Sequence, residues 1–390
     1  MASEWKNIRA ADFVEFNPRL SIKKGAMATK IAMDKLQPFT KKVPATEQAE
    51  YAGGAKFCNG DTIMARITPC LENGKTAFVD VLADGEIAFG STEFIVMRAR
   101  PGVSDPQFVY YLATSPMFRN VAIKSMVGSS GRQRVQQGVL EALELTVPPL
   151  DEQKKIGAFL AALDQKIALN CKINDNLFEQ MHALYKSWFV DYRPFGGVKP
   201  ESWTQSNIYS LANIIYGAPF ASKQFNTEGN GKPIVRIRDL KDQQFATYTT
   251  EVHPKGYLLQ PGDIVVGMDG EFRPYIWGND EAWLNQRVCV FENKRQQGKA
   301  FLYCTIKPLL YAIEQTQVAT TVIHIGKKDY DAFEITLPDA STLDTFDALT
   351  APMVARIVSN SFENKRLAAL RDALLPKLMS GVIDVSDSLL

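Results

Sequence analysis

The sequence predicts an α/β protein with two α/β domains in tandem repeat, separated by two long helices that form an antiparallel coiled coil. The first observation is a repeated strand, because LEALELTVP (140–148) recurs as YDAFEITLP (330–338) at a constant offset of 190. The second is a heptad pattern that follows each copy. A fixed offset near half of the 390 residues indicates duplication of one architecture.

Composition sets the broad class. With 46% apolar and 22% charged residues, the chain suits two or three globular units that each bury a core. Its 5 cysteines and 3 histidines are scattered, which indicates neither a zinc site nor a disulfide framework. The start MASEWKNIRA lacks a signal-peptide pattern, and no run approaches the roughly 18 apolar residues of a membrane span. We expect a soluble, cytoplasmic protein with no membrane partner.

Four segments follow from these patterns. In the first domain, alternating apolar runs such as DTIMARI and EFIVMRA are separated by turns at GG, NG and DG, which is typical of short strands. The second domain repeats this style, since GDIVVGM echoes GDTIMAR and FLYC echoes FVYY. The predicted segments are a first domain at 1–149, a central helical region at 150–193, a second domain at 194–338 and a C-terminal helical region at 339–390.

The ends of the two helices are less regular in sequence. Asp151 is expected to cap the start of the first helix. The second copy reads LPDASTLDTF where the first reads VPPLDEQKKI, so an irregular start is expected there. Pro376 and Gly381 are expected to end the second helix.

A heptad seam runs along both helices. In the first copy the seam positions are Ile156, Leu160, Leu163, Ile167, Asn170, Asn174, Leu177, Met181, Leu184 and Trp188. Adding 190 gives Phe346, Thr350, Met353, Ile357, Asn360, Asn364, Leu367, Arg371, Leu374 and Leu378. The paired asparagines recur, and Asn at a seam position fixes register at a cost in stability. Antiparallel helices would let the two pairs meet; alternatively, each pair faces solvent on an imperfect stripe.

Charge is locally uneven although the net charge is only +1. Residues 19–42 carry seven basic side chains against one acidic side chain, and residues 106–140 carry four basic side chains and no acid. Such stretches are either electrostatic footprints for phosphate or solvated faces.

The helices carry a family resemblance. LTVPPLDEQKKIGAFLAALDQKIALNCKINDNLFEQMHALYKSWF, with ENKRLAALRDALLPKLMSGVI near the terminus, resembles the two conserved helical regions of Type I restriction-modification specificity (S) subunits. The resemblance implies two target recognition domains that each read one half of a bipartite, asymmetric site in double-stranded DNA. It also implies that the helices dock two methyltransferase (modification) subunits and that restriction subunits complete the assembly.

Cofactors would then belong to those partners. The resemblance implies that S-adenosylmethionine, ATP and Mg are bound by the partner subunits and none by this chain. The sequence contains no G-x-x-x-x-G-K-[ST] phosphate loop, no G-x-G-x-x-G and no N-P-P-F or D-P-P-Y tetrapeptide. We therefore expect a non-catalytic chain.

Candidate DNA-binding residues are those with donors suited to base edges or phosphates. In the first domain they are Arg66, Thr68, Asn73, Lys75, Ser91, Thr92, Ser129, Ser130, Arg132, Gln133 and Arg134. In the second domain they are Arg273, Asn285, Gln286, Arg287, Thr320, Thr321 and His324. Each of these is by default an ordinary surface residue.

Two other functions stay open. One is a coiled-coil adaptor without nucleic-acid contact, which would bind any duplex weakly. The other is a tandem-duplicated hydrolase, for which Asp269 and Glu271 in MDGEF are the nearest pair of acids, although a surface turn is the commoner meaning of Asp-Gly. No acid pair is matched in both copies. The DNA-reading function explains both the repeat and the missing catalytic motifs, but the sequence does not give the target bases.

Overall fold

The computed structural model describes residues 5–129, 131–316 and 324–383. The chain forms two compact units. The first unit comprises Met1–Ile167 and Arg366–Leu390, and the second comprises Ala168–Lys365. Each unit therefore includes part of both long helices.

The first unit is built from short strands and helices. Its strands are β1 (Lys6–Arg9), β2 (Val14–Phe16), β3 (Met27–Ile31), β4 (Glu47–Glu50), β5 (Lys56–Phe57), β6 (Thr62–Ala65), β7 (Thr76–Phe78), β8 (Ala88–Gly90), β9 (Phe94–Ala99) and β10 (Glu144–Val147). Its helices are α1 (Ala10–Phe13), α2 (Pro106–Thr114), α3 (Pro116–Lys124), α4 (Gln137–Glu141), the first part of α5 (Leu150–Phe189) and the last part of α8 (Ala340–Met379).

The described strands of the first unit form two four-stranded sheets and one pair. One sheet has the antiparallel order β2-β9-β6-β7, and the other has the order β4-β3-β8-β5 with β3 and β8 parallel. Strands β1 and β10 pair antiparallel. Successive side chains of a strand point to opposite faces. In β6 this places Met64 in one hydrophobic cluster and Ile63 in another, so both faces of this strand are buried.

The second unit has its own set of elements. Its strands are β11 (Thr204–Asn207), β12 (Ala212–Tyr216), β13 (Phe225–Asn226), β14 (Lys232–Val235), β15 (Tyr248–Thr249), β16 (Leu258–Leu259), β17 (Ile264–Gly267), β18 (Pro274–Ile276), β19 (Ala282–Leu284), β20 (Val288–Asn293) and β21 (Glu334–Leu337). Its helices are α6 (Lys299–Thr316), α7 (Lys327–Asp331) and the first part of α8 (Ala340–Met379), together with the second part of α5.

The second unit repeats the topology of the first. The order β12-β20-β17-β18 matches β2-β9-β6-β7, and the parallel pair β14–β19 matches β3–β8. Strand β17 also divides its side chains between two clusters, with Val266 in one and Val265 in the other. From α4 to α5 in one copy and α7 to α8 in the other, the element boundaries keep the offset of 190. The predicted tandem α/β repeat is confirmed.

At the ends of the two long helices, the structure differs from three expectations drawn from the sequence. Helix α5 begins at Leu150, so Asp151 lies inside its first turn and does not cap it; the first helical hydrogen bonds run from Glu152 N and Gln153 N to the carbonyl of Pro149, at 3.0 Å each. Helix α8 starts regularly, because the Asp339 carboxylate accepts a hydrogen bond from Thr342 N at 2.9 Å. Hydrogen bonds from Ser341 and from the Thr342 backbone hold the pKa of Asp339 below its usual range.

Pro376 does not end helix α8, which continues to Met379. A proline near the end of a helix costs little when the carbonyl that it leaves unpaired can find another donor. The chain then turns at Gly381, whose φ of +71° lies in the left-handed region that favours glycine.

The seam residues lie where the heptad pattern predicts. All ten seam positions on each helix are buried or partly buried. In the second unit, Asn170 Nδ2 donates to Asn364 Oδ1 at 2.9 Å, and Asn360 Nδ2 donates to Asn174 Oδ1 at 2.8 Å. The pairing partner moves back along α8 as the chain advances along α5, so the helices are antiparallel there. The asparagines therefore meet one another, while their role in fixing register stays a prediction.

A buried ion pair replaces an apolar seam contact in the first unit. Arg371 occupies the position that Met181 holds in the first copy, and its guanidinium donates to Asp164 Oδ1 at 2.6 Å. Tyr111 also donates to this carboxylate, at 2.5 Å. Both ionic side chains are largely buried, at 14% and 11% exposed. Removing one partner of such a pair is costly because the other charge stays buried.

Replacing Asn174 and Asn360 together by leucine should raise stability and reduce structural uniqueness. Two more apolar side chains in the seam should add about 1–3 kcal/mol to the free energy of unfolding, while the register-specific hydrogen bonds are lost. Urea unfolding and light scattering coupled to size exclusion measure the two effects. Asn176→Ala, at an exposed position of the same helix, is the control. A variant that stays one uniform species would count against a register role.

Arg371→Met should destabilise the protein by about 3 kcal/mol, because Asp164 would remain buried without its counter-ion. Asp164→Asn combined with Arg371→Met should recover most of this loss, since the amide still accepts from Tyr111. Urea denaturation of the two single variants and the double variant completes the thermodynamic cycle. A loss below about 1 kcal/mol in Arg371→Met would show that the pair is solvated rather than buried.

Candidate nucleic-acid interface

Three segments converge at the edge of the first unit's antiparallel sheet. Arg66 follows β6, Glu93 precedes β9, and the Arg66 N–H donates to the Glu93 carbonyl at 2.9 Å. The segment before α4 lies alongside, because Val135 N donates to the Arg66 carbonyl at 2.8 Å. This backbone arrangement brings the side chain of Arg134 to that of Glu93.

Glu93 holds Arg134 in a two-point contact. The Glu93 carboxylate accepts from Arg134 Nη2 at 2.7 Å and from Arg134 Nε at 3.0 Å, and Arg66 Nε lies 3.7 Å from its other oxygen. Hydrogen bonding from Arg134 lowers the pKa of Glu93, so the carboxylate is ionised at neutral pH. The side chains of Arg134 and Glu93 are 43% and 22% exposed. The cluster thus has one negative and two positive charges and is open to solvent.

The second unit holds a similar cluster with different chemistry. His324 Nδ1 lies 2.7 Å from Asp269 Oδ1 and 3.0 Å from Arg287 Nη1. One ring nitrogen cannot both donate to the carboxylate and accept from the guanidinium. The shorter distance indicates that His324 Nδ1–H donates to Asp269 Oδ1. Arg287 Nη1 lies 3.7 Å from Asp269 Oδ1, so this carboxylate also attracts the guanidinium. Sequence reasoning treated Asp269 as a turn residue and so missed its pairing.

Arg287 has an unusual backbone. Its φ is +71°, a left-handed conformation that side chains other than glycine adopt at a cost. Backbone hydrogen bonds hold it there, since the Arg287 carbonyl accepts from Met268 N at 2.8 Å. Asn285 and Gln286 come directly before it, and Gln286 is exposed. Strained residues are concentrated at functional sites, so this conformation supports Arg287 as a site residue.

The structure brings several other predicted residues close to the first cluster. Thr68 donates its backbone N–H to the Gln133 carbonyl at 3.0 Å. Ser91 and Thr92 directly precede Glu93, and Thr92 is exposed. A cavity of about 310 Å³ beside them is lined by residues that include Arg66, Thr92, Asn17 and Lys56. The last two were not predicted.

Not every predicted residue joins a cluster. Ser129 and Arg132 are exposed in the loop before Gln133, and Asn73 is exposed in a separate turn. Lys75 donates its ammonium group to the Met33 carbonyl at 3.0 Å. Ser130, Thr320 and Thr321 lie outside the described residues.

Arg273 belongs to a different feature of the second unit. It pairs with Glu314 and lies 5.8 Å from the ring centre of Tyr311. Together with His182 and Cys304, among others, Arg273 and Tyr311 line a largely apolar cavity of about 440 Å³. The Arg273 guanidinium is therefore already paired with Glu314 and stacked near Tyr311.

The same cavity contains a cysteine next to a histidine. Cys304 Sγ lies 3.5 Å from His182 Nδ1, and Lys307 Nζ lies 2.9 Å from His182 Nε2. Burial raises the pKa of Cys304 to about 12, whereas a nucleophilic cysteine requires a lowered pKa. Burial and Lys307 lower the pKa of His182. The pair is therefore not arranged as an activated nucleophile, and it gives no support to hydrolase chemistry.

Within the described ranges, no three His, Cys, Asp or Glu side chains are placed to hold a metal ion. No described helix combines the length and apolar character that crossing a membrane requires.

Comparison with known proteins gives a consistent result. The family model of the Type I restriction modification DNA specificity domain matches residues 2–179 and 200–356. The EcoBI specificity subunit of Escherichia coli is 33% identical over 195 residues, which cover 48% of this chain and 40% of that protein. The chain thus spans about two-fifths of this relative. The HindI specificity subunit of Haemophilus influenzae is 24% identical over 405 residues, which cover 83% and 86%.

A solved structure shares the fold. The Type I restriction-modification S subunit from M. genitalium aligns over 96% of both chains with a TM-score of 0.52 and 16% identity. Specificity subunits of these systems are non-catalytic DNA-recognition subunits. Since the family match covers most of its length, the chain belongs to the Type I restriction-modification DNA specificity family.

Proposed function

We propose that the chain reads a bipartite, asymmetric site in double-stranded DNA, with residues 1–149 and 194–338 as the two target recognition domains. One observation carries this proposal. At the same place in both copies, a guanidinium group is partly exposed and contacts a carboxylate, namely Arg134 with Glu93 and Arg287 with Asp269. Arginine in two-point contact with guanine is the commonest specific contact to a base.

Neighbouring residues would position the DNA backbone. Hydroxyl groups and exposed cations bind phosphates and fix the register of a protein on the duplex. Thr92, Ser129 and Arg132 are exposed near the first cluster, and Gln286 is exposed beside the second. The proposed interface therefore has a base-reading centre and a phosphate-binding margin.

The helices would dock the other subunits. A helix of 40 residues is about 60 Å long, and both α5 and α8 have this length. Leu169 on α5 and Leu349 and Leu370 on α8 are exposed and offer apolar contacts along these helices. We propose two modification subunits and additional restriction subunits as these partners, with S-adenosylmethionine, ATP and Mg bound by them. Such an assembly would act on DNA in the cytoplasm.

The purified chain should neither methylate nor cleave DNA by itself. Methylation should appear only when the modification subunit is added, because the cofactor motifs are missing from this sequence. Transfer of labelled methyl groups to duplex DNA measures this. Methyl transfer by the chain alone, at a rate proportional to its concentration after repurification, would contradict the proposal.

Arg134→Ala and Arg287→Ala should each relax the recognition of a different half-site. Each loss should cost about 1–3 kcal/mol at one base pair and leave the other half unchanged. Selection from a randomised duplex library, followed by sequencing, measures the preference at every position.

Arg134→Lys and Arg132→Ala are the matched comparisons. Lysine keeps the charge but loses the planar fork, so Arg134→Lys should also relax specificity. Arg132→Ala should weaken binding equally on all sequences and reduce the salt dependence by about one phosphate contact. If both alanine variants at positions 134 and 287 select the wild-type sequence, these side chains do not read bases.

A further inference from the structure

We propose that Glu93 and Asp269 are specificity-determining positioning residues, each of which fixes a guanidinium so that one pair of its donors is presented to a guanine edge. This inference rests on the proposed DNA-reading function. The carboxylates would touch no base themselves and would act through the arginines that they hold.

The two clusters occupy corresponding places in the two units. In the first unit, Arg66 N donates to the Glu93 carbonyl, and Val135 N donates to the Arg66 carbonyl. Arg134 immediately precedes Val135 and forms an isolated antiparallel bridge with Ile67. These bonds join the end of β6, the start of β9 and the segment before α4.

The second unit repeats this pattern bond for bond. Met268 N donates to the Arg287 carbonyl at 2.8 Å, and Ile325 N donates to the Met268 carbonyl at 2.9 Å. His324 immediately precedes Ile325 and forms an antiparallel bridge with Asp269. Arg287 therefore corresponds to Glu93, His324 to Arg134 and Asp269 to Ile67.

The carboxylate lies on a different segment in each unit, but in both units it pairs with an arginine. In the first unit the acid precedes the sheet's long strand, and the cation lies on the segment before α4. In the second unit the cation Arg287 precedes the strand, and the acid Asp269 lies one position beyond Met268. Two different sets of residues thus place a carboxylate against a partly exposed arginine at one location. A surface ion pair without a role would not be expected to occur at the corresponding place in both units from different residues.

Hydrogen-bond geometry shows which donors remain available on Arg134. Nε and Nη2 face the Glu93 carboxylate in a side-on contact. Among the described residues, Nη1 has no hydrogen-bond partner, and Nη2 carries a second N–H. These two groups form the end-on edge of the guanidinium, which matches the O6 and N7 acceptors of guanine.

Arg287 faces its partners through a different part of its guanidinium. Nη1 faces His324 and Asp269, while Nε and Nη2 contact no acceptor among the described residues. The free edge is therefore the side-on edge, which also offers two parallel donors. In the first unit hydrogen bonds hold one edge of the guanidinium, and in the second unit one end lies within ion-pair distance of the carboxylate. Within the described part of the chain, another pair of donors is free in both units.

The carboxylates also disfavour binding to phosphate alone. A negative charge beside the guanidinium lowers its attraction for a phosphate oxygen, whereas neutral acceptors on a base are affected less. Removing that charge should raise affinity for any duplex while freeing the arginine to adopt other orientations. The ratio of specific to non-specific affinity should then fall.

Glu93→Gln and Asp269→Asn in the full chain test this inference. The duplex selected by the wild-type chain and a scrambled duplex of equal length are the two probes, titrated between 50 and 200 mM salt, roughly the range over which phosphate contacts dominate. For Glu93→Gln we expect non-specific affinity to rise several-fold, specificity to fall about tenfold, and the salt slope to become steeper by about one. Library selection should show relaxation in the half-site that Arg134→Ala affects, and Asp269→Asn should relax the other half.

Glu314→Gln is the matched control, because it removes the carboxylate that pairs with Arg273 outside the cluster. It should change neither the specificity ratio nor the salt slope. Thermal unfolding of each variant identifies a purely structural effect, which would lower both affinities together with the melting temperature and would overturn the inference. An unchanged specificity ratio in folded Glu93→Gln and Asp269→Asn would also overturn it. If the wild-type chain does not distinguish the two duplexes, the proposed function fails and the inference with it.

Discussion

The cores of both units depend on helices that neither unit contains completely. In the first unit, Ile156 and Leu160 from α5 are buried in one cluster with Leu375 and Leu378 from the far end of α8. Fully burying a leucine contributes about 1.5–3 kcal/mol, so these side chains supply a sizeable part of a marginal total. Residues more than 200 positions apart in sequence must therefore meet before the first core is complete.

Polar groups in the helices place a second constraint on this packing. Asn170 is fully buried, and its amide donates to both Glu363 and Asn364. A buried amide without partners is costly, and a shift of one helix by a single turn would leave only one asparagine of each helix opposite another asparagine. Leucine at the same positions would tolerate such a shift. We therefore predict that these polar groups favour one alignment of α5 with α8 at the expense of some apolar burial.

The features that could be predicted from sequence are those that repeat at a fixed spacing. The helices, the strand before each and the asparagine pairs keep the offset of 190, because a heptad seam tolerates no change in length. The sheet strands do not keep it: β6 and β17 start 202 residues apart, since 264 minus 62 is 202. Loops between strands tolerate insertions, so corresponding strands of the two globular domains are not separated by one constant offset.

The candidate site was predicted only in part, for a related reason. Arg134 and Arg287 were named from the sequence because their side chains suit base edges, whereas Glu93 was not named because an acid is not sought among donors to DNA. No periodicity connects Arg66, Glu93 and Arg134, which are brought together by backbone hydrogen bonds between separate segments. Asp339 was also missed as a helix cap, since the first copy has proline at the corresponding position 149 and begins its helix without a side-chain cap.

If Arg287 reads a base as proposed, its left-handed backbone sets stability against recognition at this position. Glycine has no Cβ to crowd the following carbonyl, so at a φ of +71° it would relieve about 1 kcal/mol of strain. A mutation to glycine would thus make the polypeptide more robust while it removes the guanidinium from the surface. Screens that select only for thermal resistance should favour this loss. Under the proposed function, selection on the base contact of its side chain would keep arginine at position 287.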